Sequence, residues 1–433
     1  MARRGPLYSQ HVPEPKTFTA YVDRLAGLLA VRERDPESVA AALDGEVSLE
    51  LRRRVSLDIR RAQGAFPTPP RLARRLVADE LRTKKTIYID PALGCGDLLL
   101  AVAGQLALRP SVGETLRAWG RRLVGRDLDP EFARVARLRL ALLAECRVGC
   151  RGHLSESRLE ELLPQITVGD GRELKPTAAT TVLLNPPFGR VAVEGVTWTG
   201  GLVSEAAVFS ATVIENSARG TRFAGILPDV LRAGSSYAGW REHVSDRLQV
   251  SAVETVGQFD PWTDIDVFIL RGRVARTRTE VAWWPVAPVA EKTVGDLFSV
   301  AVGAVVPHRD PLRGPFHPYV CAHDLPGAGE YCAGSRKRRS HHRVFGPPFV
   351  VVRRTSRPVG RGQRLRANLI RADTPVAVEN HLIVLQPKDG KTKSCQRLIE
   401  VLTAPATTVW LDERIRCRHL TVGAIRAIPW PDD

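Results

Sequence analysis

Between Thr86 and Val274, short apolar runs alternate with amphipathic stretches, and few folds accept that pattern. The runs Ile87–Ile89, Leu123–Gly125, Ile166–Val168, Thr181–Leu184, Ala224–Leu227, Val250–Thr255 and Val267–Leu270 have the length and composition of strands. Between them lie helical stretches such as Asp97–Leu108, Pro130–Ala144, Ser204–Ala218 and Tyr237–Arg247. Strands joined through helices pair in parallel, so the expectation is an α/β sheet, mostly parallel, with helices on both faces. Ligands of such sheets bind beyond the carboxyl ends of the strands. The residues that follow each strand are therefore the ones to read.

The first strand runs into Asp90-Pro91-Ala92-Leu93-Gly94-Cys95-Gly96-Asp97-Leu98. Gly94 and Gly96 let backbone pass close to a ligand, and the turn feeds a helix N-terminus. It lacks the third glycine of a dinucleotide fingerprint, so alone it is also an ordinary tight turn. After the second strand comes Gly125-Arg126-Asp127-Leu128-Asp129-Pro130. Asp127 stands where a carboxylate can bond both hydroxyls of a ribose. Asp129, before Pro130, reads as a helix N-cap. Asp170 ends the third strand and can accept from an adenine amino group. The fourth strand ends in Asn185-Pro186-Pro187-Phe188. That rigid turn offers an amide, carbonyls without a competing N–H, and a flat ring, the parts needed to hold an exocyclic amine and stack a planar base.

These motifs together resemble the gamma class of DNA adenine-N6 methyltransferases over roughly residues 60–275. Asp90-Pro91-x-x-Gly-x-Gly-x-Leu is similar to that family's S-adenosylmethionine loop, and Asn185-Pro186-Pro187-Phe188 to its catalytic loop. Phe66-Pro67-Thr68-Pro69 resembles its additional cofactor motif, with a proline inserted between Phe66 and Thr68. The order of the three is that of the gamma class. The resemblance implies a Rossmann-like seven-stranded methyltransferase sheet. It implies cofactor contacts from Phe66, Thr68, Pro69, Asp90, Pro91, Gly94, Gly96, Asp127 and Asp170. It implies catalysis by Asn185, Pro186, Pro187 and Phe188 on a flipped-out adenine, Phe188 being one wall of the base site. Phe259, in Gly257-Gln258-Phe259-Asp260-Pro261-Trp262, is the candidate for the second wall. An RNA or protein-glutamine methyltransferase stays open, because both use Asn-Pro-Pro-aromatic on an amine or amide. Cytosine N4 fits the same acceptors, and a DNA-binding specificity subunit with an idle site is a further alternative.

Residues 1–62 form an N-terminal helical segment. Phe18, Tyr21, Val22, Leu25, Leu28 and Leu29 fall at helical spacing, and Ser48–Arg61 is a second, Arg-rich amphipathic stretch. Residues 63–279 then make the catalytic domain. Beyond them Pro and Gly become frequent, and 280–433 reads as a separate α/β or mostly β domain. That last part holds 23 Lys/Arg against 14 Asp/Glu, more than half of a net charge of +16. Residues 331–372 carry twelve Lys/Arg and no acid. Among them Arg336, Lys337, Arg338, Arg339, Arg353, Arg354, Arg357, Arg361, Arg364 and Arg366 favour a polyanionic partner, and double-stranded DNA fits it. The domain would recognise the DNA target, and a cognate restriction or defence subunit is an expected partner. Cys321, His323, Cys332, His341 and His342 match no regular zinc spacing, so no metal is expected. Seven scattered cysteines suggest a reducing cytoplasm, and neither a signal peptide nor a long apolar span is read from the sequence.

Overall fold

The seven apolar runs all become strands of one sheet in a computed structural model, which describes residues 15–31, 35–81, 85–193, 196–198, 200–284, 290–356 and 363–431. Two compact units emerge: residues 1–228 with 239–281, and residues 229–238 with 282–433. The first unit opens with helices α1 (Pro15–Ala30), α2 (Pro36–Leu43), α3 (Glu46–Arg54), α4 (Leu57–Gln63) and α5 (Pro70–Ala78). β1 (Ile87–Asp90) leads through the glycine loop to α6 (Asp97–Ala103) and α7 (Val112–Gly120). β2 (Leu123–Asp127), α8 (Pro130–Val148), α9 (Glu156–Leu162) and β3 (Ile166–Val168) follow. β4 (Thr180–Leu184) precedes a hairpin of β5 (Arg190–Val193) and β6 (Gly201–Ser204), then α10 (Glu205–Asn216) and β7 (Arg222–Pro228). After α11 (Asp229–Ala233), which belongs to the second unit, and α12 (Ala238–Ser245), β8 (Leu248–Asp260) and β9 (Thr263–Val274) form a long hairpin.

The sheet order is β3-β2-β1-β4-β7-β9-β8. Its first five strands are parallel, while β9 runs antiparallel to both β7 and β8. From β1 the chain builds outward to β3, then returns to place β4 on the other side of β1. The crevice at that reversal opens at the carboxyl ends of β1 and β4, where Asp90 and Asn185 stand.

Helix α8 is central to the unit. Leu138, Leu140 and Leu142 are fully buried, and the helix lies between α1 and α2 on one side and β2 and β3 on the other. A helix apolar around most of its circumference is stable only when covered on both sides. The α1 residues Phe18, Tyr21, Val22 and Leu25 join the same buried cluster as Leu183 and Ile269 of the sheet. The expected stretch Asp97–Leu108 ends early, at Ala103, with Gly104 capping it. Helix α7 was not anticipated; its signal is Ser111-x-x-Glu114, a reciprocal capping box in the structure. Val55 breaks the Arg-rich stretch Ser48–Arg61 into α3 and α4.

The second unit holds β10 (Lys292–Thr293), paired with β19 (Pro429–Trp430), then α13 (Val294–Leu297), and a five-stranded sheet of β11 (Phe298–Val302), β18 (Leu382–Pro387), β15 (Phe349–Arg353), β16 (Ala367–Arg371) and β13 (Gly329–Cys332), in that order. Helix α14 (Thr392–Thr403) packs on it, and its Cys395, Leu398 and Leu402 are fully buried. A three-stranded sheet, β14 (Lys337–Arg339), β12 (Phe316–Val320) and β17 (Ala377–Val378), lies beside it in sequence. The unit is thus mixed α/β, as one of the two expected forms. No helix among the described residues is long and apolar enough to cross a membrane.

Candidate active site

The loop after β4 is held by the loop between α4 and α5. Asn185 Nδ2 donates to the Phe66 carbonyl at 3.1 Å and to Thr68 Oγ1 at 2.9 Å. A carbonyl only accepts, so the amide nitrogen must be the group that faces Phe66. The other end of the amide, Asn185 Oδ1, is buried and has no hydrogen-bond partner among the described residues. An acceptor left so costs about 1–3 kcal/mol, which a ligand donor would recover. The two loops also touch through Gly64, at φ +63°, where an added Cβ would lie 2.1 Å from Pro187 Cβ. Gly64→Ala is expected to push the two loops apart and cost about 2 kcal/mol of stability, from the left-handed backbone and the overlap together. Urea unfolding would measure it; an unchanged midpoint would show that the two loops move freely.

Phe66 and Phe188 stack with ring centres 6.0 Å apart at 23°. Phe259, expected as a second wall, is instead 4% exposed and meets Phe188 edge-on at 5.2 Å. It braces Phe188 from the core rather than facing a cleft. The exposed aromatic of that turn is Trp262. A cleft of about 600 Å³ is lined by Phe66, Phe188, Trp262, Arg52, Arg60 and Arg190, among others. Arg52 and Arg60 come from the N-terminal helices and Arg190 from the hairpin after the Asn-Pro-Pro-Phe turn. No local motif marks these arginines. For Trp262 the signal was present, an aromatic beside Pro261 in a turn.

At the ends of β1 and β2 the glycine loop closes on two acids. Gly94, in the left-handed region at φ +49°, donates its N–H to Asp127 Oδ2 at 2.8 Å. Asp127 Oδ1 accepts from the Asp129 N–H at 3.0 Å, and Asp129 caps α8 through the Glu131 N–H. Asp90 is 1% exposed and accepts from the Ala92 N–H at 3.2 Å. Burial, with Asp127 and Asp97 nearby, holds its carboxyl well above the usual carboxylate range. Burial also raises Asp127, against the backbone donors that bond it. Pro91 is packed under Gly171, where a Cβ would meet the Pro91 carbonyl oxygen at 1.7 Å. Gly96 passes α8 so closely that a Cβ would stand 2.8 Å from Ala136. Asp170 is engaged by its neighbour: Arg172 Nη2 reaches Asp170 Oδ2 at 2.6 Å, and the Arg172 N–H bonds Oδ1. Pro69 caps α5 from its N-terminal side and Thr68 is buried.

The structure divides the basic stretch in the second unit. Lys337 and Arg339 are exposed on β14, and Arg339 lies 4.3 Å over the exposed ring of Phe316. Arg338 between them turns inward, as strand alternation requires, and donates to the Asp310 carbonyl at 2.8 Å. Arg336 pairs with Asp324, and Arg353 donates to the Ala322 carbonyl. Arg354 is partly buried. Arg364 is fully committed inside the unit, bonding Asp412 and the carbonyls of Leu411, Ile415 and Cys417. Arg366 is exposed, while Arg357 and Arg361 lie outside the described residues.

No protein-family model and no curated protein matches the chain. Among solved structures, the type IIL restriction-modification enzyme MmeI in complex with DNA is similar, with 11% identity over 88% of this chain and 70% of that one, at a TM-score of 0.54. The M protein of the type I restriction enzyme EcoKI matches at 19% identity over 61% of this chain and 58% of its own, TM-score 0.35. A modification subunit assigned to a type I restriction enzyme of Vibrio vulnificus YJ016 matches at 16% identity over 58% of this chain, TM-score 0.39. The chain spans 52% of that subunit's length. The fold is the Rossmann-like seven-stranded methyltransferase fold.

Proposed function

We propose that the chain is a DNA methyltransferase that uses S-adenosylmethionine to methylate adenine N6, of the gamma class, working in a restriction-modification or defence system. The observation that carries this reading is Asn185 Oδ1, buried with no hydrogen-bond partner among the described residues while its Nδ2 is fixed by Phe66 and Thr68. It is a preorganised acceptor waiting for a donor, and an exocyclic amine is such a donor. The glycine loop fits the cofactor: Asp90, buried, and Asp127, partly buried, stand at adjacent strand ends with their carboxyls held above the usual range, and a cationic ligand would relieve the repulsion between them. Asp90, Pro91, Gly94 and Gly96 would hold its methionine part with Phe66, Thr68 and Pro69, and Asp127 its ribose. Asp170 would reach its adenine only while keeping Arg172.

S-adenosylmethionine supplies, when bound, an electrophilic methyl group. Asn185 Oδ1 and the Pro186 carbonyl accept the two N–H bonds of the target amine and draw its lone pair out of conjugation with the ring. As positive charge grows on that nitrogen, the two dipoles stabilise it. As the nitrogen gains the methyl its bond to sulfur breaks, and the surplus proton, strongly acidic on a ring-conjugated amine, is lost to water. Pro187, locked against Gly64, keeps the turn rigid, and Phe188 stacks on the base, which must leave the duplex to reach the site.

DNA is the proposed substrate because cationic side chains line the cleft and the exposed face of β14. MmeI, the similar structure, was solved with DNA. Residues 280–433 would read the target through exposed side chains such as Lys337 and Arg339. The test is radiolabelled methyl transfer to DNA, RNA and protein in parallel, followed by nucleoside analysis of the product. N6-methyladenine is the expected product. N4-methylcytosine would move the reading to the other amine, and labelled RNA or protein alone would overturn it.

A further inference from the structure

The turn between β8 and β9 presents an aromatic surface that the chemistry above does not use. Asp260 and Thr263 pair across the hairpin, leaving Pro261-Trp262 as its two-residue turn. Trp262 is 69% exposed, an unusual position for the largest apolar side chain. It is not loose. Asp260, itself buried, accepts from the Trp262 N–H at 2.8 Å, the Thr263 N–H at 2.7 Å and Thr263 Oγ1 at 2.9 Å. Arg52 of α3 ion-pairs with Asp260, and its guanidinium carbon sits 4.8 Å from the centre of the Trp262 ring. The N-terminal helices thus set a cation beside the indole, and Trp262 lines the cleft that also holds Phe188.

We propose that Trp262 is a stacking platform for a second nucleotide, a base of the DNA strand next to the target, and that Arg52 is its positioning residue. An indole backed by a guanidinium keeps its opposite surface for another flat group, and base stacking on aromatics is tolerant of base identity. The cleft's charged lining is Arg52, Arg60 and Arg190 against Asp264 alone, which suits a phosphodiester chain. The N-terminal helical segment is then part of the substrate cleft. This inference rests on the DNA reading above.

The test uses the full chain and three labelled probes of equal length: an oligodeoxynucleotide, an abasic oligodeoxynucleotide and an oligoribonucleotide. Affinity is read by fluorescence anisotropy for the wild type, Trp262→Ala and Trp262→Phe. Trp262→Ala is expected to weaken the base-bearing DNA about tenfold, with Trp262→Phe restoring most of the loss. The abasic strand, held by the arginines, is expected to bind all three proteins alike. Equal binding of the base-bearing strand by Trp262→Ala and wild type overturns the platform, and so does an equal loss for the abasic strand. Tighter binding of the oligoribonucleotide overturns the choice of DNA. If the wild type methylates DNA while Trp262→Ala binds normally, the platform fails alone; if the wild type neither binds nor methylates DNA, both readings fall.

Discussion

Asn185→Ala is expected to lower methyl transfer to DNA by a factor of about 10² to 10³, the usual loss on removing one preorganised hydrogen-bonding group that stabilises developing charge. The folded state should change far less. The Asn185 amide nitrogen leaves behind the Phe66 carbonyl and the Thr68 hydroxyl. The hydroxyl can turn to another partner, so a cost of about 1 kcal/mol is expected. Binding of S-adenosylmethionine, measured by calorimetry, should stay near wild type, because Asp90 is held by the Ala92 N–H and Asp127 by the Gly94 N–H, neither through Asn185. Asn185→Asp is the informative companion. It keeps an acceptor but loses the donor, and sets a carboxylate against the Phe66 carbonyl. The repulsion should rotate the group away, leaving activity low despite the retained oxygen. A variant Asn185→Ala with wild-type turnover would show that the buried, unpartnered oxygen does not act on the substrate.

The strand ends were legible because parallel strands joined through helices must all finish at one edge. Asp90, Asp127, Asp170 and Asn185 could therefore be placed there from the sequence alone, and the structure sets them at that edge. The direction of β9 could not be read, since a hairpin between β8 and β9 and a helix-linked crossover share the same apolar pattern. Phe259 is buried for a local reason. It lies one residue before the paired Asp260, on the face of β8 that packs inward, and the two-residue turn carries Trp262 outward instead. Arg52 is 208 residues from Asp260, so its contact has no local sequence signal. The acid-free basic stretch mixed two populations. Arg364 answers the unsatisfied carbonyls at the end of a helix and the chain beyond it, a demand that composition does not reveal.

Arg139→Met is expected to cost about 3–5 kcal/mol of stability, as removing one partner of a buried ion pair does. Arg139 is 1% exposed in the middle of α8 and serves three elements at once. Its Nη1 bonds Asp97 Oδ1 at 2.8 Å and the Cys95 carbonyl at 2.6 Å, and its Nε bonds the Ala42 carbonyl at 2.9 Å. The guanidinium therefore ties the glycine loop to the first turn of α6 and to the end of α2. Methionine fills a similar volume, so the loss isolates the charge and the hydrogen bonds rather than a cavity. Asp97 would remain buried with only the α6 N-terminus to compensate it, a contribution of about 0.3–1 kcal/mol. Arg139→Met with Asp97→Asn should recover part of the deficit, because the neutral amide no longer needs a counter-charge. Urea unfolding at neutral pH measures each step. The same series separates stability from cofactor binding: the double variant should fold well yet bind S-adenosylmethionine more weakly, since the Cys95 carbonyl is still untethered. Wild-type affinity in a folded double variant would show that the glycine loop holds its shape without Arg139.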